Sequence, residues 1–320
     1  MTTVAPKRGG LFRKQHIFVG STLTPVMLYM MFFTFIPMLW GIAITFFHYS
    51  PTRLGGFLGF GGENPFAGLA NYADLFADNP NGQLFRLSLG NTLMFSLLYL
   101  PLNLIVTVPL AVLIESINQK MKVVFRTIYF LPVVTSAVAV SLVWGVIYNP
   151  TFGLLNGLLQ RFGISGISWL SDPTKFVFGI PVAMLCVLVA YLWSDMGYNL
   201  VIFIAGLQGI PDVYREAALV DGANAWQRFW YVTLPLLQST MTFVTVMTML
   251  SSWQVFVIFS IMTGNGGPSN LTRTLVLHIY ETAFRYQEMG LASTVAIVLF
   301  IIIMITTLLQ LRFMRKEWEY

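Results

Sequence analysis

The sequence predicts an all-α polytopic membrane protein with six transmembrane helices, and three observations carry that reading. Charged residues make up only 10% of the 320 residues and hydrophobic ones 56%, whereas about a quarter of a soluble domain is charged. Six apolar stretches, at about residues 17–47, 88–114, 127–148, 176–206, 229–262 and 290–311, each exceed the roughly 20 residues that a helix needs to cross a bilayer. The basic residues are uneven: twelve of the 18 Lys and Arg fall on the side that holds both chain ends, and six on the other. Positive charge is retained inside, so both termini are expected in the cytoplasm.

Residues 1–15 carry Lys7, Arg8, Arg13 and Lys14 and no acid. The apolar stretch after them is too long for the core of a cleavable signal peptide, and no small-residue cleavage site follows. It reads as a retained first transmembrane helix, with kinks expected at Pro25 and Pro37. A Gly-, Asn- and Pro-rich external loop follows to residue 87, with a short helix expected at about 69–76, so residues 16–87 form the first span and its loop. Residues 88–311 hold the other five spans as one core, and residues 312–320 form a cytoplasmic tail. Cys186, the single cysteine, lies in an apolar run, which excludes a disulfide within the chain and a cysteine metal site. The net charge of +5 is spread over loops and ends, a pattern of membrane orientation and not of nucleic-acid binding.

Between the fourth and fifth spans lies a compact charged segment, residues 209–223. Pro211 suits the first turn of a helix, where its missing N–H costs nothing, and Asp212 places a negative charge at the positive end of the helix dipole. Gly222 suits the C-terminal cap. A helix of about ten residues, roughly 15 Å long, is therefore predicted. Val213, Ala217 and Val220 share one face beside Tyr214 and Ala218, while Arg215 and Glu216 lie elsewhere. The two mid-helix alanines let another surface approach closely. On these grounds alone the helix could equally lie in the membrane interface.

The order of residues points further. Glu216-Ala217-Ala218, then three residues, Gly222-Ala223, and eleven residues to Leu234-Pro235-Leu236-Leu237 resembles the EAA loop of permease subunits in binding-protein-dependent ABC importers. Asp221 and the Ile210-Pro211 lead-in are similar to its carbohydrate branch. Phe125-Arg126-Thr127, Phe130-Leu131-Pro132, Trp144 and residues 152–156 resemble the opening of the permease core. Met262-Thr263-Gly264-Asn265-Gly266-Gly267-Pro268, with Thr272, Tyr280 and Phe284, resembles the external loop of the maltose-transporter first subunit and its relatives, Asn265 interrupting the usual glycines. The resemblance covers about residues 88–311.

It implies a type I ABC importer permease fold with a cytoplasmic coupling helix, in a bacterial or archaeal plasma membrane. It further implies a second homologous permease, an ATPase dimer that carries the ATP and Mg, and an external sugar-binding protein; this chain binds no cofactor. Tyr214, Glu216, Ala217, Ala218, Asp221 and Gly222 would couple to the ATPase, with Glu216 pairing to a basic residue there. No Walker loop, metal-ligand spacing or nucleophile motif is visible, so no enzymatic activity is expected. His16, His48 and His278 lack ligand spacing and read as interfacial.

Asp195 is the one charged residue well inside an apolar span. A carboxylate there costs a few kcal/mol, so it either faces a water-filled path or packs against polar neighbours such as Ser194 and Asn199. Tyr191, Asp195 and Tyr198 follow a helical stripe; Thr248 and Ser252 repeat the spacing in the next span, beside Ser251, Trp253 and Gln254. By the resemblance, Tyr191, Asp195, Thr248 and Ser252 fall where the maltose-type relative lines its sugar site, and Tyr198, Trp253 and Gln254 join them as candidates. Hydroxyls and aromatic faces suit a sugar, and an acidic lining at Asp195 would disfavour a phosphorylated cargo. An ion-driven secondary transporter would need an inverted repeat and several intramembrane ionisable groups, where only Asp195 qualifies. A scaffold subunit without cargo would explain a docking helix but not the polar stripes.

Overall fold

The computed structural model describes residues 8–56 and 59–314, with side chains from residue 18 onward; His16 lies outside the described side chains. The helices fall into two compact units, one of residues up to 73 with 282–294, the other of residues 74–281 with those from 295 on.

In the first unit, α1 (Arg8–Met30), a π-helical turn at Met31–Phe35 and α2 (Ile36–Ile44) follow without a break. Pro25 is carried inside α1. Pro37 lies in the first turn of α2, and the carbonyl four residues before it falls in the π turn. A proline removes that hydrogen bond, and the wider turn takes up the mismatch. Nearly all side chains from 18 to 43 are exposed, as a lipid-facing rod requires. At its end, Asn71 in α3 (Ala70–Phe76) donates to the carbonyls of Thr45 and Phe47 at 2.8 and 2.9 Å. Gly290 packs against this turn so closely that a Cβ would lie 2.2 Å from the Phe47 carbonyl oxygen.

The second unit begins with α4 (Pro80–Ser116), capped by the Asn79 side chain accepting from Gly82 N–H at 2.8 Å. At 37 residues, or about 55 Å, α4 runs into the segment expected as loop. The apolar stretch after it is not one rod: α5 (Gln119–Val134) and α6 (Ala137–Ile147) meet at 99°. After α7 (Leu154–Arg161), strands β1 (Phe176–Val177) and β2 (Ile180–Pro181) form a hairpin whose turn residues, Phe178 and Gly179, both have positive φ. The next span is α8 (Val182–Gln208), so the first residues of the expected stretch are hairpin.

Next come α9 (Asp212–Val220), α10 (Ala225–Arg228), a π turn at Phe229–Thr233, α11 (Leu234–Leu236) and α12 (Gln238–Trp253). The stretch 225–236 meets α12 at 72°. The chain breaks again before α13 (Val257–Met262) and continues through α14 (Leu275–Tyr280) to α15 (Met289–Met314). Among the described residues four helices are long and apolar enough to cross a membrane, or up to six spans if each bent pair counts as one.

Helix α8 is the centre of this unit and packs along α4 and α5. Two glycines let it approach its neighbours. A Cβ on Gly197 would lie 2.1 Å from the Tyr129 carbonyl oxygen of α5, and one on Gly206 would lie 2.4 Å from Thr240 Oγ1 of α12. Two apolar clusters result. One gathers Phe95, Met184, Val187 and Phe259; the other gathers Val108, Ala111, Leu200, Phe203 and Val244.

Candidate functional site

Between those two clusters lies a polar belt. On α4 it is Tyr99 and Asn103, on α8 Asp195 and Asn199, on α12 Thr248. Tyr99 O–H donates to Asp195 Oδ2, and Asn103 Nδ2 donates to the Tyr99 oxygen at 3.1 Å. Asn199 Nδ2 lies 3.1 Å from Asn103 Oδ1, 3.2 Å from Asp195 Oδ2 and 3.4 Å from Thr248 Oγ1. Tyr99, Asn103, Asn199 and Thr248 are buried. The carboxylate thus sits in a cage of neutral donors that ties three helices together, where an isolated charge in an apolar interior would be far more costly.

Of the residues singled out in the sequence, Tyr191 and Asp195 turn inward together, but the inward stripe continues to Asn199, and Tyr198 is 44% exposed. Thr248, Ser252 and Trp253 are buried, Ser252 donating to the Met249 carbonyl at 2.8 Å. Gln254, at the end of α12, is exposed. Tyr191, Ser194, Ser251 and Gln254 line a cavity of about 200 Å³, completed by apolar residues including Val140, Phe256 and Ile258. Ser194 and Ser251 donate to the carbonyls of Tyr191 and Thr248, at 2.9 and 3.0 Å. Asp195 is not among the lining residues. Tyr99 and Asn103 were invisible in the sequence because nearly a hundred positions separate them from their partners.

The segment 209–223 folds as expected. Asp212–Val220 is helical, and the chain leaves it through a Schellman turn, with Ala223 N–H to the Ala218 carbonyl at 2.9 Å and Gly222 N–H to that of Leu219 at 3.1 Å. Gly222 has φ +76°, the left-handed conformation this turn demands. Tyr214, Glu216, Ala217, Asp221 and Gly222 are exposed, and Ala218 is the buried one. A cavity of about 490 Å³ lies under the segment, lined by Asp212 and Arg215 of α9, Arg228 of α10, and Glu115, Lys122 and Gln208 of the bundle.

A third cluster escaped the sequence reading. Arg273 and Glu281 form a buried ion pair at 2.5 Å, with side chains 5% and 4% exposed. Arg273 Nη2 lies 3.4 Å from Nδ1 of His278, so that nitrogen accepts and the ring is neutral. His278 is buried and not interfacial; burial, and then the Arg273 charge, push its pKa down to about 4. The preceding loop holds Gly264, Asn265, Gly266 and Gly267 all at positive φ, and asparagine tolerates that conformation better than most residues, which is why Asn265 can stand among glycines.

Apolar helices around an enclosed polar belt, with a charged helix exposed on one loop, define an integral membrane protein. The chain belongs to the family of binding-protein-dependent transport system inner membrane components, which matches residues 107–318. It is 33% identical over 300 residues to the probable ABC transporter permease protein YurN of Bacillus subtilis, covering 93% of this chain and 96% of the relative. It is 32% identical over 256 residues to the arabinooligosaccharides transport system permease protein AraP of the same organism, covering 78% and 77%. The crystal structure of a bacterial ABC transporter involved in the import of the acidic polysaccharide alginate shares the fold. Its TM-score is 0.79 at 20% identity, with 98% of this chain and 100% of that one covered.

Proposed function

We propose that this chain is one of two transmembrane subunits of an ATP-driven importer for a sugar or oligosaccharide. It spans the plasma membrane six times, with both termini and α9 in the cytoplasm. Cargo arrives on an external solute-binding protein; a second homologous permease completes the path, and an ATPase dimer holds the ATP and Mg. The observation that carries the reading is α9 itself. It is a short, exposed helix fixed at its end by Gly222, set off from the bundle by a cavity; it lies within the residues that match the family and carries the Glu216-Ala217-Ala218 that resembles the EAA loop.

Mechanically, α9 seats in a cleft of the ATPase, with Glu216 meeting a basic residue. Closure of the ATPase dimer moves α9 as a rigid lever, and the transmembrane halves alternate between inward- and outward-open states. The sugar class is supported by the arabinooligosaccharide relative and by the niche, where one tyrosine, two serines and an amide lie beside an aromatic and aliphatic wall. Such a surface offers hydrogen bonds to hydroxyls and an apolar face to a sugar ring. In vesicles containing the whole complex, with cargo chosen by screening the purified binding protein against a sugar panel, uptake is expected to require ATP and to stop with vanadate. Uptake that persists without ATP, or follows an imposed ion gradient, would overturn the proposal.

A further inference from the structure

Glu115 stands in an unfavourable place. It is the penultimate residue of α4, where the helix dipole is negative and a carboxylate is repelled. The structure supplies it with three donors from two other helices. Lys122 Nζ lies at 2.6 Å, Arg126 Nη2 also donates, and Gln208 Nε2 reaches it at 3.0 Å. Lys122 and Arg126 are one turn apart on α5 and so present their cations on one face. The Glu115 side chain is 16% exposed and that of Lys122 17%. Glu115, Lys122 and Arg126 form a largely buried node, to which the exposed Gln208 adds a fourth member.

Gln208 is the last residue of α8, four positions before α9 begins. The intervening chain is tightly wound, with Gly209 N–H bonded to the Ala205 carbonyl at 3.2 Å and Ile210 N–H to that of Leu207 at 3.3 Å. The cavity of about 490 Å³ separates the inner side of α9 from the helix ends beneath it, so direct packing there is sparse. Elsewhere α9 touches the π turn at Phe229–Thr233 and buries Ala218, while at its start a displacement reaches the bundle through the short link to Gln208. The Gln208 end is the one clamped to α4 and α5.

We infer that Glu115 is a positioning residue for coupling: by binding Gln208, Lys122 and Arg126 at once, it makes α4, α5 and α8 move as one body with α9. This rests on the proposed role of α9 and adds to it the part of the bundle that α9 drives. Without the carboxylate, the two cations on α5 face each other with no counter-charge, and α8 keeps only its apolar packing at that level.

Spin labels at Leu113→Cys on α4 and Leu219→Cys on α9, both exposed positions, read this directly in the complete complex. The native Cys186 thiol is buried. In the parent chain the distance between labels is expected to stay the same in the nucleotide-free and ADP-vanadate states. In Glu115→Ala it is expected to change by about 2–5 Å, the scale of helix shifts in switching proteins. Gln208→Leu, which removes only the α8 arm, is expected to give a smaller change, and the charge swap Glu115→Lys with Lys122→Glu to restore constancy. A distance that changes already in the parent, or stays constant in Glu115→Ala, would overturn the inference. A crosslink from Leu219→Cys to the ATPase tests the underlying role separately: its retention with an unchanged distance sinks the Glu115 assignment alone, while its absence sinks the docking of α9 as well.

Discussion

Two carboxylates on neighbouring helices meet opposite treatment. Asp195 is caged by the neutral donors of Tyr99 and Asn199, between two apolar clusters. Glu115, about 18 Å along α4 from Asn103, is met by two cations and an amide at the rim of a cavity. Neutral donors placed by three buried helices give a fixed geometry that resists rearrangement, because every alternative leaves a buried group unpaired. Charged partners make stronger hydrogen bonds to a carboxylate than neutral ones, and with Glu115 only 16% exposed water weakens them only in part. The contrast places an uncharged, desolvated cage in the middle of the bundle and a charge-assisted clamp at the end that faces α9.

The largest expected effect comes where α8 packs on α5, the helix that carries both cations. Gly197→Val would drive a side chain into the Tyr129 backbone of α5, and overpacking of this kind costs about 3 kcal/mol. A loss of folded complex in detergent, read by thermal unfolding, checks it. Next is Asn199→Leu, which leaves acceptors on Asp195, Asn103 and Thr248 without this donor. A destabilisation of about 2 kcal/mol is expected, against well under about 1 kcal/mol for removing an exposed pair such as Arg86 with Asp78. Equal losses from the two would erase the distinction between cage and edge.

Smaller again is Gly222→Ala, which places a Cβ at φ +76° and costs about 1 kcal/mol locally. Faster amide exchange in α9, with α8 unchanged, is the expected signature. A separate effect, confined to acid pH, is expected at His278. Its folded pKa, about 4, lies below the ordinary histidine value near 6.5. Its contribution is therefore present above that value and lost as pH falls toward 4. His278→Phe should flatten the acid side of the thermal-stability curve, measured from pH 7 to pH 4.

What could be read from the sequence was what is local. Pro211, Asp212 and Gly222 delimit α9 because start, charge and cap lie within a dozen residues, and Asp195 was conspicuous as a lone charge in an apolar run. The 99° bend at Thr135 and Ser136 was not legible, since hydropathy runs unbroken through it. The Tyr99 and Asn103 half of the cage was hidden by sequence distance, as was the Gln208 arm of Glu115. Arg273 and Glu281 read as loop residues by composition and are buried only by tertiary packing. Tyr198 shows the limit of periodicity: one position of rotation separates it from the inward Asn199.

The central claim is that α9 is a cytoplasmic lever worked by a separate ATPase. Its most direct test places a cysteine at Ala217, an exposed position on that helix, and treats sealed vesicles of each orientation with a membrane-impermeant maleimide. Labelling only in inside-out vesicles, together with a crosslink from this position to the ATPase that changes in yield on ADP-vanadate trapping, is the expected result. Labelling from the outer face, or no crosslink in the intact complex, would contradict the account.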